Sequence, residues 1–125
     1  MITFDLNAFN LVIEVANKLY PEMEAKISFV PEKYFKKLLK RWGAKNEDVK
    51  QSCGVTMFDD EGKIPVICIN ASIPCWASVE IIAHEIAHVA AGVDADHGEK
   101  WQLEYDKIFT AYSIAHSEVL KMIGE

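Results

Sequence analysis

The spacing of apolar residues predicts four helices in this chain. In each of them apolar side chains recur every three or four positions, which places them on one face of an α-helix. Glycine and proline residues mark several of the ends, and Gly92 is a typical stop signal after the third helix. The predicted helices span residues 7–20, 31–43, 78–91 and 98–123.

Shorter stretches in which apolar and polar residues alternate predict three strands, at residues 26–30, 52–58 and 63–70. The second and third strands flank the turn sequence Asp59-Asp60-Glu61-Gly62, so we expect them to form a β-hairpin. Pro65 has no N–H group to donate, which favours an edge position for the third strand.

Length and composition are those of one globular domain. The chain has 125 residues, of which 50% are hydrophobic, enough to bury a real core within a single domain spanning residues 1–125. The polar segment 44–51 is predicted to be a loop. The predicted fold is α+β, with a small three-stranded sheet packed against the third helix and further helices towards both ends of the chain.

The charge distribution argues against a nucleic-acid partner. The formal net charge is -6 and the isoelectric point is about 5.2, which disfavours a phosphate-binding surface. One dense basic run lies in the second predicted helix, where cationic and apolar residues alternate at helical spacing, so we expect a solvated helix face. Its basic residues are Lys33, Lys36, Lys37, Lys40 and Arg41.

Targeting and cysteine signals point to the cytoplasm. No stretch is long and apolar enough for a membrane span, and the first residues lack the basic start and apolar core of a signal peptide. The cysteines are odd in number and form no C-x-x-C pair, which argues against a disulfide framework and a zinc ribbon. Cys53 and Cys68 would come close across the hairpin, where we expect packed thiols.

The sequence His84-Glu85-x-x-His88 in the third predicted helix is an H-E-x-x-H motif. Residues four apart lie one turn apart on the same helix face, so both imidazoles can reach one metal ion. Neutral imidazole suits Zn²⁺, and the carboxylate of Glu85 would act as general base by taking a proton from zinc-bound water. The alternative is an ordinary helix whose two histidines are solvated or satisfied in the core.

A catalytic zinc site requires a third protein ligand and an open position. His97 follows the helix after a short loop and is the preferred third ligand. The same segment offers carboxylate oxygens as alternatives, although these acids would equally suit the start of the last helix. The alternative ligands are Asp94, Asp96 and Glu99.

The motif helix followed by His97-Gly98-x-x-Trp101 resembles the active-site pattern of SprT-like zincin metallopeptidases. The resemblance covers about residues 53–101. It implies a zincin-like fold and a Zn²⁺ site formed by His84, His88 and His97. It also implies that Trp101 packs against this site. The zinc ribbon that many SprT-like proteins carry is not expected within these 125 residues.

The resemblance also implies where a substrate binds. In zincins the strand that precedes the motif helix lies at a sheet edge and pairs with an extended peptide substrate. In this chain, that strand would run from Ile64 to Asn70. Tyr105 and Tyr112 lie in the apolar stripe of the last helix. Either could reach an oxyanion near the metal, although aromatic residues in such a stripe are more often part of the core.

Two functions are compatible with these features. The leading hypothesis is a zinc-dependent endopeptidase, because Glu85 is present and a protein that only holds the metal would not need it. The alternative is a zinc-stabilised binding or regulatory module that uses the same fold without turnover. A groove along the strand from Ile64 to Asn70 that faces the metal would favour the peptidase, whereas a filled groove would favour the binding module.

Overall fold

A computed structural model of the chain describes residues 1–2, 7–41, 43, 52–58, 64–92, 95, 97–122 and 124, and it contains four helices and three strands within them. These residues form α1 (Asn7–Leu19), β1 (Lys26–Val30), α2 (Glu32–Arg41), β2 (Gly54–Met57), β3 (Val66–Asn70), α3 (Cys75–Ala91) and α4 (Glu99–Met122). The α+β class and the four predicted helices are confirmed. The predicted loop at 44–51 and hairpin turn at 59–62 lie outside the described residues.

The three strands form one mixed sheet in the order β1-β3-β2. β1 is parallel to β3, with Lys26 opposite Val66, and β2 is antiparallel to β3, with Gly54 opposite Ile69. The antiparallel pairing of the two strands predicted as a hairpin is therefore confirmed.

The predicted edge position of the third strand is wrong. β3 is the central strand, and both of its sides are paired from Val66 to Asn70. Pro65 precedes the first residue of β3, and its carbonyl accepts a hydrogen bond from the Lys26 N–H at 3.0 Å. The missing N–H of proline therefore removes no bond between strands. An extended peptide therefore cannot add to β3, and among the described strands the sheet edges are β1 and β2.

The sheet separates two groups of buried side chains. Ile67 and Ile69 point towards α1, α3 and α4 and are fully buried in the larger core cluster. Cys68 points the other way and packs with Phe35 and Leu39 of α2. Alternate residues of a strand point to opposite faces, so β3 contributes to both cores. The layers are therefore α2, the sheet, and the other three helices.

The predicted solvated face of α2 is confirmed, whereas the prediction of packed thiols holds for Cys68 alone. Four of the five basic side chains on α2 are exposed and Lys36 is partly exposed, as expected for a solvated helix face. Cys68 is a buried free thiol, whose pKa is raised by burial. Cys68 lies opposite Val55, whereas Cys53, which directly precedes β2, is exposed. No described helix combines the length and apolar character needed to cross a membrane.

β2 approaches α3 unusually closely at Gly54. A Cβ atom at this position would lie 2.8 Å from Cγ2 of Ile81 and 3.2 Å from Cδ1 of Ile69. The first distance is shorter than real Cβ contacts, so glycine is the residue that allows the strand to pack here. This contact places β2 beside the part of α3 that carries the H-E-x-x-H motif.

We expect Gly54→Ala to lower the free energy of unfolding by about 1–3 kcal/mol, because the added methyl group overpacks the contact with Ile81. Without the clash the same substitution would be neutral or stabilising, since alanine restricts the unfolded chain more than glycine does. Urea denaturation in the presence of a chelator measures the change. In an Ile81→Ala background the added cost should shrink, and an unchanged or higher stability of Gly54→Ala alone would contradict the close packing.

Candidate metal centre

α3 holds the two histidines of the motif on the face that looks away from the core. Its opposite side is anchored by apolar residues that are fully buried, among them Ile82, Ala83 and Ala87. His84 and His88 are half-buried one turn apart. The helix ends at Gly92, whose φ of 99° and N–H bond to the His88 carbonyl direct the chain away from the helix axis.

Three histidine side chains converge outside this helix face. Nε2 of His97 lies 3.0 Å from Nε2 of His88 and 3.1 Å from Nε2 of His84. His97 is more exposed than the two helix histidines. Within the described part of the chain, these three residues are the only group of potential ligands that could hold a metal ion.

The nitrogen atoms have the spacing that a small tetrahedral metal ion requires. Metal–nitrogen bonds of about 2.0–2.1 Å, as zinc forms, place the ligand nitrogens about 3.3 Å apart. The distances of 3.0 and 3.1 Å are close to this value. A group of three neutral imidazoles also leaves a fourth position free for a small molecule. The donor set therefore fits a bound metal ion, and the predicted set of His84, His88 and His97 is brought together.

Trp101, in the first turn of α4, supports all three imidazoles. Its ring centroid lies 4.7 Å from that of His84, 5.6 Å from that of His88 and 4.9 Å from that of His97. The indole N–H donates to the backbone carbonyl of His84 at 3.1 Å, and the side chain is buried. Trp101 therefore packs against the site as expected, and it joins α4 to α3 where the histidines meet.

Glu85 lies beside the cluster in a buried position. Its Oε1 is 4.0 Å from Nε2 of His84, while its Oε2 accepts a hydrogen bond of 2.6 Å from Thr56 Oγ1. Burial raises the pKa of Glu85, and the hydrogen bond from Thr56 opposes that rise. Burial and the neighbouring His97 lower the pKa of His84. At neutral pH the His84 imidazole is therefore neutral and able to act as a ligand.

The cluster opens into a groove with a volume of about 670 Å³, within the size range of small-molecule and peptide sites. One wall is β2 and the other is α3. The predicted groove along the strand from Ile64 to Asn70 is thus replaced by one along β2. Its described lining residues include the acids Glu80 and Glu85 and contain no lysine or arginine.

β2 presents an open edge along this groove. The Asn70 N–H donates to the Cys53 carbonyl at 2.9 Å, which makes these residues a hydrogen-bonded pair of the antiparallel ladder. Bonded and non-bonded pairs alternate, so the main-chain groups of Gly54 and Thr56 point away from β3. No described strand pairs with β2 on that side.

The two candidate tyrosines lie in different places. Tyr105 lines the groove, with its ring centroid 6.4 Å from that of His84, and its hydroxyl donates to Glu80 Oε1 at 3.4 Å. Burial, followed by the charge of Glu80, raises the pKa of Tyr105. Tyr112 does not line the groove and stacks on the exposed His116 with ring centroids 5.6 Å apart. Only Tyr105 is thus near the site.

Of the three carboxylates predicted as alternative metal ligands, the structure describes one, Glu99. Glu99 is exposed at the start of α4 and does not belong to the group of converging ligand atoms. Asp94 and Asp96 lie outside the described residues. Thr56 was not identified from the sequence, because a threonine within a strand carries no sign of its partner until the packing of that strand is known.

Comparisons with known proteins add no further information. No protein-family model, curated protein or solved structure matches the chain. The SprT-like resemblance therefore depends on the motif residues themselves, and the case for a function depends on their arrangement.

We expect the purified protein to bind about one divalent transition-metal ion per chain, because three imidazole nitrogens converge at the spacing that one ion requires. Equilibrium dialysis against Zn²⁺, used as a probe, gives the stoichiometry. Replacing His84, His88 or His97 by alanine should abolish stoichiometric binding. The matched control is His116→Ala, which removes an exposed imidazole outside the cluster. Equal binding by His97→Ala and the unmodified protein would exclude His97 as a ligand.

Proposed function

We propose that this protein is a zinc-dependent endopeptidase with a zincin-like fold, related to the SprT-like metallopeptidases. The observation that carries the proposal is the position of one buried carboxylate. Glu85 lies beside three converging imidazole nitrogens, in a groove next to an open strand edge. Holding a metal requires only the histidines, whereas hydrolysis also requires a base at this place.

Zinc is the metal that this donor set favours. Three neutral imidazoles and one open position are typical of catalytic zinc sites. Zinc bound by His84, His88 and His97 would polarise the scissile carbonyl and lower the pKa of water in the open position. Trp101 supports the proposal because its buried ring packs against all three imidazoles.

Glu85 is assigned as the general base. Its Oε1 faces the histidine cluster and can accept a proton from a water molecule that enters between the carboxylate and the substrate. Burial raises the pKa of this carboxyl group, so the protonated form is less costly than it would be in water. The same carboxyl group can therefore return the proton to the leaving amine.

The substrate class that fits the groove is an extended peptide segment. The outward main-chain groups of Gly54 and Thr56 can hydrogen-bond to a peptide that adds to β2 as a further strand. Such a peptide would run along α3 and bring a backbone carbonyl close to the histidines. This position on β2 replaces the one expected on β3, and it retains the same principle of strand addition.

We expect Glu85→Gln to retain zinc and to lose hydrolysis by at least about 100-fold, because the amide preserves the shape of the side chain but accepts no proton. A peptide-library cleavage assay beside metal analysis measures both properties. If the unmodified protein binds zinc but cleaves no peptide, it is a zinc-stabilised binding module. If Glu85→Gln cleaves as fast as the unmodified protein, the activity belongs to another group or to a contaminant.

The acidic lining predicts a charge preference. Glu80 is exposed on the groove wall one helical turn before His84, and no described cation lines the groove. A basic side chain of a bound peptide would gain about 1 kcal/mol beside this carboxylate, or roughly fivefold in kcat/KM. Peptides that differ only in Lys or Glu near the scissile bond test this. The preference for Lys should shrink in Glu80→Gln and persist in Glu99→Gln, and a preference that Glu80→Gln leaves unchanged would contradict the assignment.

A further inference from the structure

Thr56 makes the only described side-chain hydrogen bond to the Glu85 carboxylate. Its hydroxyl lies 2.6 Å from Oε2 and 3.2 Å from the backbone carbonyl oxygen of the same residue. A hydroxyl has one proton to donate, and the shorter distance assigns that proton to the carboxylate. Hydrogen bonds to an ionised acceptor are the stronger ones, so this contact is well suited to fix the side chain.

The hydrogen bond from Thr56 gives the two oxygen atoms of the Glu85 carboxylate different surroundings. Oε2 is held by the strand, while Oε1 remains on the side of His84, 4.0 Å from its Nε2. A glutamate side chain has three rotatable bonds, and burial alone does not determine how its terminal group is turned. With Oε2 fixed by Thr56, Oε1 is directed at the histidine cluster.

The position of Thr56 is itself fixed by the backbone. It lies opposite Ile67 in the ladder between β2 and β3, and the glycine two residues earlier allows β2 to pack closely on α3. Positions 54 and 56 lie on the same face of the strand, so the close approach at Gly54 also brings the Thr56 hydroxyl to Glu85. The main-chain groups of Thr56 point to the open edge of β2.

We infer that Thr56 is a positioning residue that orients the Glu85 carboxylate towards the substrate and sets its place relative to a peptide bound at the β2 edge. The inference rests on the proposed peptidase function. One residue then fixes both partners of the reaction: its side chain holds the base, and its main chain binds the peptide that the base acts on. The rate of a reaction between two groups held in this way falls strongly when either group is displaced by a small distance.

The test compares Thr56→Val with Thr56→Ser. Valine keeps the shape and the strand preference but has no hydroxyl, whereas serine restores the hydroxyl without the methyl group. For Thr56→Val we expect kcat to fall about 10- to 100-fold, with KM within about twofold and zinc content unchanged. Thr56→Ser should recover most of kcat. Thermal unfolding checks that both variants are folded.

A spectroscopic comparison tests the contact without relying on activity. In metal-free protein labelled with ¹³C-glutamate, the Cδ resonance of Glu85 is the one that Glu85→Gln lacks. The chemical shift of this resonance should change in Thr56→Val, because valine has no hydroxyl to donate to the carboxylate. In Thr56→Ser it should return towards the value of the unmodified protein.

The outcomes separate this inference from the proposed function. If cleavage depends on Glu85 but Thr56→Val keeps full kcat, the positioning role is excluded and the peptidase assignment stands. If Thr56→Ser is as slow as Thr56→Val, the hydroxyl does not account for the loss and the inference is wrong. If no Glu85-dependent cleavage occurs at all, the proposed function fails. The Cδ resonance then decides alone whether Thr56 holds the carboxylate.

Discussion

The close packing of β2 on α3 is the contact on which the candidate site depends. It requires glycine at position 54, where a side chain would meet Ile81, and it brings Thr56 within hydrogen-bonding distance of Glu85. The same approach forms the groove, since β2 and α3 are its two walls. A wider separation would leave the histidine cluster intact, but it would break the hydrogen bond between Thr56 and Glu85 and move the edge of β2 away from the cluster.

The second support is Trp101 of α4, which contacts all three imidazoles. Three nitrogen atoms at this spacing repel one another when their lone pairs converge, and they repel more strongly when protonated. The rings therefore need a rigid surrounding, which the buried indole and the apolar anchor of α3 provide. Burial and His97 lower the pKa of His84, so this ring is neutral at neutral pH and able to act as a metal ligand.

The sequence was sufficient for features that are local along the chain. Helical periodicity predicted the four described helices, and the spacing of His84, His88 and His97 predicted the cluster. It was insufficient for features that depend on non-local pairing. β1 adds in parallel to β3 from a distant part of the chain, which makes β3 central, and Pro65 does not prevent this because it lies just outside the ladder. Nor does the sequence indicate which side chain Thr56 meets.

The most direct test of the central claim is a crystal structure of the Glu85→Gln variant with zinc and a peptide bound, with the metal located by its anomalous scattering. Zinc should be held by Nε2 of His84, His88 and His97, with the peptide paired to the open edge of β2 and one of its carbonyls facing the metal. A metal bound by an Asp94 oxygen, with His97 turned to solvent, would contradict the ligand assignment. A peptide bound away from β2 would contradict the proposed substrate position.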